Sequence, residues 1–298
     1  MTVGLALEGP AHAAAAADLP LVRKKIPKTN EMLPAVGVGT NNFTAASPEE
    51  LAARRAVLEK LTQMGGSVVD TAAIYGRSEE VIGQDVGELK LRERVFLSTK
   101  VMMRGTDPEA GKAQIENSFK KLQVAKIDVV HVHNLAAPDL MIPVLQELKQ
   151  QGRIRYVGMT TSFANQHADM LAAMQKYPVD FIQIDYSIGN RDAAADILPL
   201  AQDKGIGVML NEPLGGRRGQ SLFGKLSGKP LPDWAKDIDA HSWAQVLLKY
   251  SISHPAVTCA VPGTTNVAHL EDNLLGARGR LPDAGMRKKM EQYWDKLT

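Results

Sequence analysis

Residues 95–133 read VFLSTKVMMRGTDPEAGKAQIENSFKKLQVAKIDVVHVH, and the order of features in that stretch decides the fold. It opens on an apolar, β-branched run, 95–100, too short for a helix. A polar loop bearing a glycine follows. Then Asp107-Pro108-Glu109 supplies the signals of a helix start: a capping carboxylate, a proline at the first helical position and an acidic first turn. The stretch closes on a second apolar run, 127–133. Near-continuous apolar runs are expected of strands covered on both faces, as in a parallel sheet.

The same unit recurs outward in both directions. Candidate strands lie at 35–39, 67–70, 95–100, 127–133, 154–160, 181–185, 207–211 and 257–261, with further helix starts at Ser47-Pro48-Glu49-Glu50 and Ser78-Glu79-Glu80. Eight strand–helix units without a break in composition predict one closed α/β barrel, (β/α)8, over 21–298. The alternative is an open doubly wound sheet. Gly37-Val38-Gly39 is not followed by a third glycine opening a helix, so the dinucleotide fingerprint of that fold is missing. Three segments decorate the barrel: a hairpin at 24–34 that plugs its bottom, a glycine- and proline-rich loop at 212–240 too long to be a plain connection, and an extra C-terminal helix at 282–294.

The chain has 298 residues, 44% of them apolar, enough for a sizeable core. Its 35 basic and 33 acidic side chains are well mixed, with a formal charge of +2, so nothing points to nucleic acid. The single cysteine, Cys259, rules out an intramolecular disulfide and a CxxC site. No stretch approaches the ~18 apolar residues that span a bilayer. Residues 1–20 form an alanine-rich leader resembling the tail of a secretory signal without its basic beginning, and they are set apart from the fold. Cytoplasmic location is the default expectation, and the periplasm follows if a twin-arginine sequence precedes Met1. A monomer is the default oligomeric state.

Barrel enzymes carry their reactive groups at the C-terminal ends of the strands. Here Asp70 ends the second strand, Lys100 the third and His133 the fourth, each directly after apolar residues. Adjacent strands lie about 5 Å apart, so the three can converge. Tyr75, five residues after Asp70, sits on the loop over the same mouth. A nearby ammonium stabilises a phenolate and so makes the phenol a better proton donor near neutral pH. His131 points the same way as His133, one step deeper. An H-x-H pair can hold a metal, but the other histidines fall in the leader, helices or loops. His131 is therefore read as a hydrogen-bonded core residue and no metal is expected.

Asp70-Thr71-Ala72-x-x-Tyr75-Gly76-x-Ser78-Glu79, Ser98-Thr99-Lys100 and Ile127-Asp128-Val129-Val130-His131-Val132-His133 together resemble the motifs of the aldo-keto reductases, in order and at family spacing, and the likeness runs from about Val22 to Trp294. The resemblance implies a reductase of aldehydes and ketones with Asp70, Tyr75, Lys100 and His133 as its catalytic tetrad. It implies NADPH as cofactor, with NADH also possible. A cofactor-sensing binding protein, like the potassium-channel β subunits that share this barrel, is the alternative.

The loops after the seventh and eighth strands read Pro213-Leu214-Gly215-Gly216-Arg217-Arg218-Gly219 and Pro262-Gly263-Thr264-Thr265-Asn266, where glycines admit a pyrophosphate and arginines supply charge. By the resemblance, Leu214 and Gly216 meet the pyrophosphate, Thr264 and His269 the adenosine 2′-phosphate, and Asp272 with Asn273 the adenine, while Arg217 is counted with the cofactor residues for its charge. Thr160, Thr161 and Gln183 meet the nicotinamide carboxamide, and Thr40 and Gly263 complete the cofactor set. Two departures stand out. Asn211 occupies the position where many members stack an aromatic ring on the nicotinamide, and Gly263 and His269 lack the basic residues common there. Asn41, Phe43 and Asn134 are expected to wall the substrate pocket, and residues 274–281 are too few for a lid. The polar walls point to small polar carbonyl substrates.

Overall fold

A strand carries two rows of side chains on opposite faces, and the eight parallel strands of this chain bury both. The computed structural model describes residues 18–103, 105–216 and 221–297. An antiparallel hairpin comes first, β1 (Arg23–Lys25) and β2 (Met32–Pro34). The parallel strands follow: β3 (Val38–Gly39), β4 (Val68–Asp70), β5 (Phe96–Val101), β6 (Ile127–His133), β7 (Ile154–Thr160), β8 (Phe181–Asp185), β9 (Gly207–Asn211) and β10 (Val257–Ala260). Each pairs with the next in chain order. The sheet closes on itself where Val36 bridges Ala260 and Gly39 bridges Gly263, with Gly37 donating to the Ala260 carbonyl at 2.9 Å. The expected barrel is therefore present.

The inward row makes a floor. Ile26 and Leu33 from the hairpin pack with Val68, Phe96, Val129, Phe181, Met209 and Cys259 in one apolar cluster, so the hairpin does plug the barrel. The outward row joins the helices in a second, larger core. Because the side-chain period is two, the inward row fixes what stands above the floor. From Val68 it reaches Asp70, from Phe96 through Ser98 it reaches Lys100, and from Val129 through His131 it reaches His133. From Phe181 it reaches Gln183, and from Met209 it reaches Asn211.

Local chemistry sets the helix starts. Ser47 caps the helix Pro48–Gln63 in a full capping box with Glu50, and Asp107 caps Pro108–Leu122. Ser78 does not cap the helix Ser78–Glu88. Its hydroxyl donates to the Thr40 carbonyl at 2.8 Å and ties that helix to the first strand's end.

Several boundaries move. The first strand shortens to β3, with Val36 left as an isolated bridge, and the eighth shifts register between Val257 and Cys259. The terminal helix runs Ala284–Asp295. Residues just before 21 are tied to the barrel: Arg278 donates to the Leu19 carbonyl at 2.8 Å and Gly279 to that of Pro20 at 3.0 Å. Residues 1–17 of the expected leader lie outside the described residues. Among the described residues no helix is long and apolar enough to cross a membrane.

Candidate active site

Lys100 is a lysine only 2% exposed, and its partners explain how it stays charged there. Its Nζ donates to Asp70 Oδ2 and to the Thr71 carbonyl, each at 2.7 Å. Burial alone would lower its pKa, but the Asp70 charge and the Tyr75 hydroxyl outweigh it and the net direction is upward. Asp70 is fixed in turn by the Ser98 hydroxyl at 2.6 Å. Ser98, one inward step below Lys100, was absent from the sequence-derived set, although the two-residue period could have found it.

The other two members of the expected tetrad close the group. The Lys100 ammonium lies 5.2 Å from the centroid of the Tyr75 ring, and the Tyr75 and His133 rings meet edge to face at 6.0 Å. All four side chains thus stand at one mouth of the barrel. His131 is buried beneath them. Burial, reinforced by the Lys100 charge, pulls its pKa down to about 4, so it is a neutral imidazole. The Met159 backbone hydrogen-bonds to the ring and pulls weakly the other way. No group of three or more histidine, cysteine or acidic side chains among the described residues could hold a metal.

The nicotinamide-side residues form a linked set. Thr160 donates to Gln183 Oε1 at 3.1 Å, Thr161 donates to Gln166 Oε1 at 2.5 Å, and Asn211 Nδ2 donates to the Thr161 carbonyl at 3.0 Å. Two buried atoms in this set have no partner: Gln183 Nε2 and Asn211 Oδ1. A buried donor and a buried acceptor at the mouth fit a planar amide such as a nicotinamide carboxamide. Thr40, fully buried, donates to the Asp70 carbonyl at 2.9 Å and so steadies the end of β4. Nearby, Asp185 accepts from Asn190 at 2.6 Å and pairs with His167 at 2.9 Å. That mouth-side cluster went unnoticed because His167 lies in a helix far from Asp185 in sequence.

The phosphate-side loops are mixed. Leu214 is half-buried against the core, and the Glu212 carboxylate fills the space beside Gly216, where an added Cβ would sit 2.5 Å from Oε2. An acidic group there is a feature the sequence reading missed. Arg217 and Arg218 lie outside the described residues. Asn41 faces Gly263, where a Cβ would come 2.9 Å from its Oδ1, so the glycine makes room for this asparagine. Thr264 is tied to Asn266, whose side chain caps the helix Val267–Leu275, and His269 is exposed in its first turn.

One expectation needs correcting. Phe43 is fully buried in the outer core and walls no pocket, because it turns away from the mouth after the Thr40 turn. Asp272 accepts from the Ser242 hydroxyl at 2.8 Å and from Gln245 Nε2 at 2.7 Å, so its carboxylate also docks one helix on another. Asn273, beside it, is buried at 4% exposure. The Thr161 hydroxyl donates to Gln166 and accepts from the Phe163 N–H at 3.1 Å. Asn134 follows His133 with a left-handed backbone, φ 53°, and its carbonyl accepts from Gln166 at 3.3 Å.

A closed (β/α)8 barrel with a buried lysine–carboxylate pair, a tyrosine and a histidine at its mouth defines the class of the protein: a barrel built for proton-coupled chemistry at its strand ends. The aldo/keto reductase family profile matches residues 35–288, and the chain belongs to that family of oxidoreductases. It is 31% identical to the methylglyoxal reductase YeaE of Escherichia coli over 253 residues, spanning 81% of this chain and 84% of that protein. It is 24% identical to probable aldo-keto reductase 1 of Glycine max, spanning 86% and 84%. Among solved structures it superposes on an aldo/keto reductase of Klebsiella pneumoniae in complex with NADP and acetate, with a TM-score of 0.73 at 24% identity, covering 89% of this chain and 93% of that one. The holo form of AKR11C1 from Bacillus halodurans also gives 0.73, at 22% identity, covering 94% and 97%.

Proposed function

We propose that the chain reduces small, polar carbonyl compounds to alcohols with NADPH. The observation that carries this is the buried Lys100, held charged by Asp70 and set against Tyr75 and His133. When bound, NADPH would supply the hydride for the carbonyl carbon. Tyr75 donates its phenolic proton to the carbonyl oxygen, and the Lys100 ammonium stabilises the phenolate left behind. Asp70 holds Lys100 in place, and His133 orients the carbonyl oxygen beside Tyr75. Gln183 and Asn211 offer the cofactor's amide a donor and an acceptor, and Thr160 holds Gln183. Leu214, Gly216, Thr264 and the arginines of the 217–218 segment serve the phosphates.

The substrate class rests on the half-buried asparagines Asn41 and Asn134 near the mouth and on the likeness to a methylglyoxal reductase. Polar walls lose hydrogen bonds, about 1–3 kcal/mol each, when they meet a bare aromatic ring. A short hydroxy-aldehyde or α-dicarbonyl is expected to give a higher kcat/KM than an aromatic aldehyde, and the reverse order would remove the polar-pocket argument. Tyr75→Phe is expected to abolish nearly all carbonyl-dependent NADPH oxidation while leaving NADPH affinity within about twofold, since it deletes the proton donor and no cofactor contact. Substantial activity in that variant would sink the role given to Tyr75. Cofactor binding with no turnover of any carbonyl by the unaltered protein would favour a cofactor-sensing role instead.

A further inference from the structure

Asn211 ends β9 on the inward row, in register with Asp185 of β8. Its Nδ2 donates to the Thr161 carbonyl at 3.0 Å. A carbonyl only accepts, so that bond fixes which way the amide faces and leaves Oδ1 on the opposite side, buried and without a partner. Gln183, two residues lower on the neighbouring strand, is the mirror case. Its Oε1 is occupied by Thr160, and its Nε2 is buried without a partner. The hydroxyl protons of Thr160 and Thr161 are both committed. The unspent hydrogen-bonding capacity of this corner is therefore one acceptor and one donor, on adjacent strands about 5 Å apart.

A primary carboxamide presents the complement, an NH2 that donates and a carbonyl that accepts. We propose that Asn211 is the acceptor for the –NH2 of the nicotinamide carboxamide, with Gln183 donating to its carbonyl. Asn211 then grips the edge of the group instead of stacking on the ring face. This deepens the reading of a nicotinamide cofactor and rests on it. Thr161 serves the same clamp indirectly, since its backbone carbonyl sets the Asn211 amide and its hydroxyl is anchored by Gln166.

The test is calorimetric binding of NADP+ and of its 3-acetylpyridine analogue, in which a methyl replaces the amide NH2. The unaltered protein should bind the analogue about tenfold more weakly, the cost of leaving one buried acceptor unpaired. In Asn211→Leu and Asn211→Ala, each checked for folding by thermal melting, that ratio should shrink to within about twofold because the acceptor is gone. Equal affinities in the unaltered protein, or an undiminished ratio in both variants, would overturn the role of Asn211 and leave Oδ1 to an ordered water. Failure of the unaltered protein to bind either dinucleotide would instead overturn the cofactor reading itself, and with it this one.

Discussion

Lys100 shows how a single residue ties stability to chemistry here. Its ammonium is buried, and Asp70 is the carboxylate that meets it. Removing one partner of such a pair leaves an uncompensated buried charge, which costs roughly 3–5 kcal/mol, whereas removing both can be close to neutral. Asp70→Asn should therefore lower the unfolding free energy by several kcal/mol in urea titrations as well as cutting turnover. Adding Lys100→Met to that variant should restore most of the stability and none of the activity. If the double variant is no more stable than Asp70→Asn, the charge of Lys100 is not what the aspartate neutralises. Glu79 lies behind the same strand, accepting from Thr99 at 2.7 Å. Burial pushes its carboxyl above the usual range, against the opposing pull of Thr99, Ser118, Lys121 and Lys100.

Between elements, the helices Ser78–Glu88 and Pro108–Leu122 approach until backbone meets backbone. A Cβ at Gly83 would lie 2.1 Å from the Lys121 carbonyl oxygen and 2.8 Å from the Leu122 Cα. Propensity alone says Gly83→Ala should stabilise the helix by about 1 kcal/mol. Overpacking against a rigid backbone costs about 1–3 kcal/mol and should win, because no flexible side chain can give way. Gly83→Ala is thus expected to be destabilising, and a raised urea midpoint would show the contact to be softer than the geometry says. A different strain follows β6. Asn134, Leu135 and Ala137 all take left-handed φ values of 53–54°, which non-glycine residues adopt at a cost of about 1–3 kcal/mol each. That turn carries the chain away from His133, and no glycine in the sequence announces it.

Over the whole molecule, a buried and a half-buried histidine work against two raised carboxyls on the acid limb of stability. Burial first, then neighbouring cations, hold His131 and His254 at about 4, below their usual 6.5. Stability from a base lowered in this way is complete above about 6.5 and is lost as pH falls toward 4. Asp85 works the other way. Burial raises its carboxyl to about 6, so its penalty at neutral pH is relieved as pH falls toward the ordinary carboxylate value. The two histidines are opposed by Asp85 and by the raised carboxyl of Glu79, and the histidines, shifted over the wider span, leave a small net loss between pH 6.5 and 4.5. Urea titrations at those two pH values should show it, and Asp85→Asn should steepen the fall while raising stability at pH 7. A flat profile would mean that the histidines are already charged in the folded protein.

The amino-acid sequence by itself determined the barrel and the order of the four residues proposed for catalysis. Both are written in short-range pattern: apolar runs of strand length, helix starts between them, and a period of two that puts Asp70, Lys100 and His133 on one inward row. What the tertiary structure decided was partnership. Phe43 reads as a pocket wall until the Thr40 turn sends it into the outer core. Asp272 reads as a ligand residue alone, and the structure adds Ser242 and Gln245, some thirty residues earlier in the chain, as partners of its two oxygens. Asn211 reads as a missing aromatic until the Thr161 carbonyl, 50 residues away, orients its amide and leaves one oxygen unpaired. A hydrogen bond spends a donor once, and which donor reaches which acceptor is settled by strands and helices distant in sequence, so no local pattern could reveal what this site still has to offer a ligand.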